Sequence, residues 1–335
     1  MTGLLDALPP EQQQLLTDAD SHLTERPMLA VLSDRREFGD AWVFERKLDG
    51  IRALAAREDD RTRLMSRSGR PMDGTFPEVV EALAGLRCRD FAVDGEIVAF
   101  SHGRTDFSRL QQRMQLTDPA RARATGVAVT YYLFDLLRLD GKDLTRLPLR
   151  TRKSLLRRAL DFDGPLRFTP HRNHGGQREL DEACAHGWEG LIAKRADGRY
   201  RPRRSSDWLK LKCARGQEFV VGGCTEPAGS RIGFGALLIG YYDSRGLRYA
   251  GKVGTGYDQA TLRRVRGLLD ELSAPRSPFV DPVRERGVHW ARPELVAEIG
   301  FAEWTRDGML RHPRYLGLRE DKRPRDVVRE KPVPG

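Results

Sequence analysis

From Trp42 onward the chain alternates short apolar, β-branched runs with turn dipeptides, the pattern of buried and half-buried strands. Strands are predicted over residues 42–45, 51–56, 91–93, 97–100, 127–137, 190–194 and 208–213, with helices over 107–116, 150–160 and 177–186. This interleaving reads as an α+β domain built on antiparallel sheets with flanking helices. A second run of strands follows, at 219–222, 236–242, 247–253 and 299–305, around one helix at 259–271. Four or five strands with one helix fit a small β-barrel of the OB-fold type. The first twenty or so residues are polar with one Pro pair, and residues 323–335 are Pro-rich and charged. The expected organisation is an N-terminal extension 1–26, an α+β domain 27–215, a barrel 216–322 and a loose tail 323–335.

Composition narrows the class without naming a site. A length of 335 residues fits two domains, and 39% hydrophobic with 8% aromatic residues excludes a wholly disordered chain. No run approaches about 18 apolar residues, and the opening MTGLLDALPPEQQQ lacks a basic start followed by an apolar stretch. A cytoplasmic protein with no membrane partner is expected. The charge is +10, with 58 Lys+Arg against 48 Asp+Glu; only nine of those basic residues are Lys, and 49 are Arg. The excess points weakly to a polyanionic partner. Cys88, Cys184, Cys213 and Cys224 form no CxxC pair, which argues against a zinc site and a disulfide framework and predicts reduced thiols.

One tempting motif falls away. Gly246-Leu-Arg-Tyr-Ala-Gly251-Lys252-Val253 has phosphate-loop spacing, but Val253 stands where a Ser or Thr would hold a metal and no helix signal follows. The informative stretch is Glu45-Arg46-Lys47-Leu48-Asp49-Gly50-Ile51-Arg52. Asp-Gly occurs seven times in the chain, so the turn alone says nothing about function. A strand delivers Lys47 to the lip of that turn, flanked by Arg46 and Arg52. Cationic neighbours and desolvation both favour a neutral, nucleophilic amine. Arg keeps its proton and is no nucleophile, so a Lys retained in an Arg-rich chain invites a chemical reading.

The K-x-D-G-x-R pattern resembles the nucleophile motif of the covalent nucleotidyltransferases, which comprise ATP- and NAD-dependent ligases and mRNA capping enzymes. Further motifs follow in the family's order. Ser66-Arg67-Ser68-Gly69 resembles its arginine motif, and Asp94-Gly95-Glu96, read between two strands, its acidic one. Tyr132-Leu133-Phe134-Asp135 resembles the aromatic motif and Glu189-Gly190-Leu191-Ile192-Ala193-Lys194 the second acidic one. Asp207-Trp208-Leu209-Lys210-Leu211-Lys212 resembles the paired-lysine motif, and Arg319-Glu320-Asp321-Lys322 the R-x-D-K that closes the OB domain. Residues 231–242 and 249–256 look like the barrel of bacterial non-homologous end-joining ligases. The resemblance therefore implies a nucleotidyltransferase (adenylation) domain followed by an OB-fold, the two-domain catalytic core alone.

What it implies residue by residue stands beside plainer readings. Glu96 and Glu189 could be solvated strand ends; the resemblance makes them ligands for Mg²⁺, with Mn²⁺ as the alternative. Phe134 sits in an apolar strand and by default is core, whereas the resemblance stacks it on adenine. Lys210 and Lys212 alternate with leucines and so share one strand face, ordinarily a solvated one and by resemblance a phosphate wall. Glu45 would read the adenine amino group. Arg52, Arg67, Arg204 and Lys194 complete the nucleotide contacts, and Arg319, Asp321 and Lys322 orient pyrophosphate.

The implied activity is that of an ATP-dependent DNA ligase. It seals 3′-OH/5′-phosphate nicks or breaks through a Lys47-AMP intermediate and a DNA-adenylate, in repair or end joining. Its partners would be nicked or broken double-stranded DNA and end-joining repair proteins, with the enzyme a monomer near the bacterial nucleoid. An RNA ligase or GTP-using capping enzyme is the nearest rival, and a catalytically silent OB protein the rival from another class.

Overall fold

The structure is a computed structural model that describes residues 3–19, 26–214, 216–227, 229 and 232–332. Two compact units emerge, Met1–Cys213 with Lys331–Gly335, and Ala214–Glu330.

The first unit carries two sheets. The larger runs through β3 (Ile51–Glu58), β4 (Arg61–Ser66), β5 (Asp90–Ser101) and β6 (Val129–Leu139), in the spatial order β6-β5-β3-β4. The smaller has the order β1-β8-β7-β2, from β1 (Leu29–Leu32), β2 (Trp42–Arg46), β7 (Gly190–Arg195) and β8 (Arg204–Lys212). Alternation along β3 explains the layering. Ile51, Ala53 and Ala55 join the main core, and Leu54 and Ala56 join a second cluster with Phe134, Leu137, Tyr200 and Trp208 between the sheets. Helices α1 (Pro77–Ala84) and α2 (Leu149–Ala159) feed Val79, Leu83, Leu155 and Leu156 into the main core. Helix α3 (Gln177–Ala185) covers the far side of the smaller sheet, where Leu180 and Ala183 meet Phe44, Leu191, Leu209 and Leu211.

Several expectations are corrected. Asp94-Gly95-Glu96 lies inside one continuous strand, β5, and does not separate two. Gly95 is tolerated mid-strand because a Cβ there would stand 2.4 Å from the Tyr131 ring and 2.5 Å from the Tyr132 carbonyl oxygen. In the described part of the polar N-terminal extension, the apolar minority, Leu4, Leu5, Leu8, Leu15 and Leu16, packs on the main core. Cys184 at the end of α3 and Cys213 just beyond β8 are joined in a disulfide, where scattered sequence spacing suggested thiols. Cys88 and Cys224 are free and buried, as read. The helix over 107–116 shortens to Phe107–Gln111.

In the second unit, β9 (Gly216–Thr225), β10 (Leu237–Asp243), β11 (Gly246–Val253), β12 (Val288–Gly300) and β13 (Arg314–Leu318) form an antiparallel sheet in which β12 pairs with both β9 and β13. Helix α4 (Gln259–Glu271) is capped by the Asp258 carboxylate, which accepts from the Thr261 N–H, and it buries Leu262, Val265 and Leu269. The false phosphate loop at 246–253 is strand β11. The described part of the tail, residues 323–332, is held down: Val327 is buried, and its carbonyl accepts from Tyr242 N–H at 2.8 Å.

Candidate active site

Period two places the polar residues of the smaller sheet on its inner face. Glu45 lies opposite Ile192, which lies opposite Lys210, and the next row sets Val43, Lys194 and Trp208 side by side. Lys47 follows β2, its N–H donating to the Gly190 carbonyl at 2.9 Å, and Gly190 is opposite Lys212. Lys47, Lys210 and Lys212 therefore share a face, with Leu209 and Leu211 buried on the other. Gly190 is fixed by geometry: its φ is +142°, and a Cβ would stand 2.0 Å from the Leu211 carbonyl oxygen. Gly50 is likewise more than turn punctuation, since a Cβ there would meet the Ile97 carbonyl oxygen at 2.3 Å.

The larger sheet contributes the opposing row Arg52, Glu96 and Tyr132. Arg52 donates to both oxygens of the fully buried Asp94 at 2.5 and 2.6 Å, and the Tyr200 hydroxyl donates to the same carboxylate at 2.6 Å. Lys47 forms its ion pair with Glu189. The expectation that Arg46 and Arg52 act as bare cations beside Lys47 is thus corrected. Arg52 is neutralised by Asp94, Arg46 lies 4.6 Å above the Trp188 ring, and the charge against Lys47 is a carboxylate.

Phe134 stands at a register shift between β5 and β6, where Gly95 faces Leu133 and Asp94 faces Asp135. The bulge turns its ring into the inter-sheet cluster, edge-on to Trp208 at 6.0 Å, with Arg52 Cζ 4.6 Å and Lys194 Nζ 4.1 Å from its centroid. There it packs as core; the half-buried aromatic on that face is Tyr132. Arg67 sits half-buried on the turn after β4, and exposed Arg204 donates to the Ala30 carbonyl at 3.0 Å. In the second unit, Arg319 and Asp321 are buried and doubly hydrogen-bonded to each other at 3.0 Å, and Lys322 pairs with Glu218 at 2.8 Å.

Sequence reasoning missed Lys153 on α2. Its Nζ donates to Glu45 Oε1 at 2.5 Å and to the Thr169 carbonyl at 3.0 Å, and Lys194 takes Glu45 Oε2 at 2.6 Å. The signal was present: Lys153 is a lysine in the arginine-rich helix LRTRKSLLRRA. Burial would push the Glu45 carboxyl up, but the two lysines outweigh it and hold the group below the usual carboxylate range.

Lys194 shows the converse. Burial lowers its ammonium from 10.5 to about 8, against the pull of Glu45. Between those limits the unfolded chain binds more protons than the folded one, so this group's contribution to stability rises with pH across that window. Lys194→Met should flatten that rise, as read by urea unfolding of both proteins at pH 7.5, 9 and 10.

Two carboxylates, Glu96 on β5 and Glu189 just before β7, offer hard oxygen donors of the kind that suits Mg²⁺. Among the described residues no group of three or more His, Cys, Asp or Glu side chains gathers to hold a metal by itself.

Residues 27–212 match the family model described as the ATP dependent DNA ligase domain, and residues 230–322 match the ATP dependent DNA ligase C terminal region. The chain belongs to the ATP-dependent DNA ligase family. Within this family it is 42% identical over 316 residues to the multifunctional non-homologous end joining protein LigD of Pseudomonas aeruginosa, covering 92% of this chain and 37% of that protein. A DNA ligase of Pyrobaculum calidifontis is 31% identical, over 91% of this chain and 59% of its own length. The chain thus spans well under half of the LigD protein that it matches. Among solved structures, mycobacterial DNA ligase D complexed with ATP and MES is 35% identical, with a TM-score of 0.62, covering 91% of this chain and 98% of that one. The adenylation fold with its C-terminal OB domain and the likeness to bacterial end-joining ligases are borne out. Among the described residues, no helix is long and apolar enough to cross a membrane.

Proposed function

We propose that this ligase-family chain uses ATP to join a 3′-hydroxyl to a 5′-phosphate in nicked or broken DNA, with Lys47 as the nucleophile. The observation that carries the reading is the convergence of Lys47, Glu189, Lys210 and Lys212 on one sheet face, opposed by Arg52 and Glu96. In the first step the neutral Lys47 amine attacks the α-phosphorus of ATP. The bond to the β-phosphate breaks, pyrophosphate leaves, and a phosphoramidate forms as Nζ loses its proton. Glu189 already lies against Nζ, which orients the amine and makes its carboxylate the nearest proton acceptor.

Lys210 and Lys212 would meet the phosphate oxygens as charge develops on them. Glu45, two residues before Lys47 and so about 6.5 Å along the same strand face, would receive the base. Glu96 and Glu189 would hold Mg²⁺, which supplies charge neutralisation to the polyphosphate. Arg319, Asp321 and Lys322 would serve pyrophosphate departure. The adenylyl group then passes to the DNA 5′-phosphate, and the adjacent 3′-hydroxyl displaces AMP. The partner is DNA, bound in part through the basic excess; end-joining proteins, a monomeric state and a place near the nucleoid belong to the same proposal.

Incubation with α-labelled ATP or GTP and separation on a denaturing gel tests it. Label from ATP, lost on adding pyrophosphate or nicked duplex with recovery of sealed strands, is the expected result. Label from GTP alone would overturn the ligase reading for a capping one, and DNA retention without any adduct would indicate a silent binding protein.

A further inference from the structure

Glu45, Lys153 and Lys194 are each no more than 3% exposed, so two ammonium groups enclose one carboxylate in the interior. One lysine would neutralise Glu45. A second leaves an excess positive charge buried, which is costly unless another partner arrives. The two cations differ in what else they hold. Lys153 has the Thr169 carbonyl as a second acceptor and stays satisfied whatever Glu45 does. Lys194 has the ring faces of Phe134 and Trp208, each 4.1 Å from Nζ, as its other close contacts, and burial already loosens its proton. Oε2 of Glu45 is therefore the oxygen that exchanges readily, and Oε1 is the one held in place.

We propose that Lys153 is a positioning residue for base selection. It keeps Glu45 an ionised, acceptor-only carboxylate whose Oε2, on exchange with Lys194, takes the 6-amino hydrogen of adenine and turns away the 6-oxo group of guanine. This rests on the reading of Glu45 as the group facing the base. An ionised carboxylate has no proton to donate, and guanine presents an oxygen where adenine presents N–H. Without Lys153, and once the base has displaced Lys194, burial pushes Glu45 towards its protonated form, which can donate to a carbonyl. The lysine thereby acts on the choice of nucleotide without touching it.

The test compares wild type, Lys153→Met and Lys153→Arg in three assays. These are Lys47 adduct formation against ATP concentration, the same with GTP, and sealing of pre-adenylylated nicks with no nucleotide added. Lys153→Met should raise the ATP concentration for half-maximal adduct at least about tenfold and lower the preference for ATP over GTP by a similar factor. Sealing of pre-adenylylated nicks should stay within about twofold of wild type, and Lys153→Arg should restore the preference. Should Lys153→Met not fold, Lys153→Gln, which still donates to the Thr169 carbonyl, takes its place. A preference for ATP that survives in the variant, or an equal loss in all three assays, overturns the inference alone. A wild-type chain that forms no adduct with either nucleotide overturns the ligase reading as well.

Discussion

Lys47→Ala is expected to lose adduct formation and ATP-driven sealing by at least about 10⁴-fold, the scale seen when a covalent nucleophile is removed. Lys47→Arg should be no better, although it keeps the positive charge. A guanidinium does not give up its proton, and its ion pair with Glu189 would only be strengthened. Quantifying labelled enzyme after denaturation, together with the yield of sealed strands, checks both. Sealing of pre-adenylylated nicks bypasses the nucleophile and should fall far less. If Lys47→Arg turned over from ATP, Lys194, Lys210 and Lys212 would become the next candidates, being the lysines on the same inner face.

The second large effect concerns the scaffold beneath the site. Asp135 and Arg152 are completely buried and joined by two hydrogen bonds of 2.7 and 2.9 Å. Arg152 also donates to the carbonyls of Leu147 and Gly198, and Asp135 accepts from the Leu136 N–H. Every arm of the pair is engaged, so removing one partner leaves a buried charge with nowhere to go. Asp135→Ala should cost about 3–5 kcal/mol, or on the order of 10 °C in Tm for a unit of this size. Calorimetry on the whole chain would read it as a drop in the first unit's transition. A shift below about 2 °C would mean that water reaches Arg152. Replacing both residues with apolar ones of similar volume should recover much of the loss.

The sequence carried most of the architecture because the strands announce themselves by period and the barrel helix interrupts them; 259–271 coincides with α4. The site was legible to the extent that alternation decides it, as with Lys210 and Lys212. What escaped were features made by residues distant in sequence. Lys153 meets Glu45 across 108 positions, and the Cys184–Cys213 bond depends on α3 docking beside β8. The bulge that turns Phe134 inward is a register event between β5 and β6, and no composition of either strand specifies it. Arg46 and Arg52 misled for a related reason: neighbours in the chain need not be neighbours in charge. Asp94, 42 positions away, takes the Arg52 guanidinium that adjacency assigned to Lys47.

The buried charges of the first unit fall into two kinds. Arg52, Arg113 and Arg152 brace the scaffold with Asp94, Glu78 and Asp135, and guanidinium groups keep their proton throughout the range in which proteins survive. Lys194, beside Glu45, is a buried cation able to shed one. Alkaline titration would therefore leave the frame's guanidinium charges untouched while Lys194, its ammonium brought down to about 8, changes its own, so that a signal assigned to that one amine reports on the reaction centre.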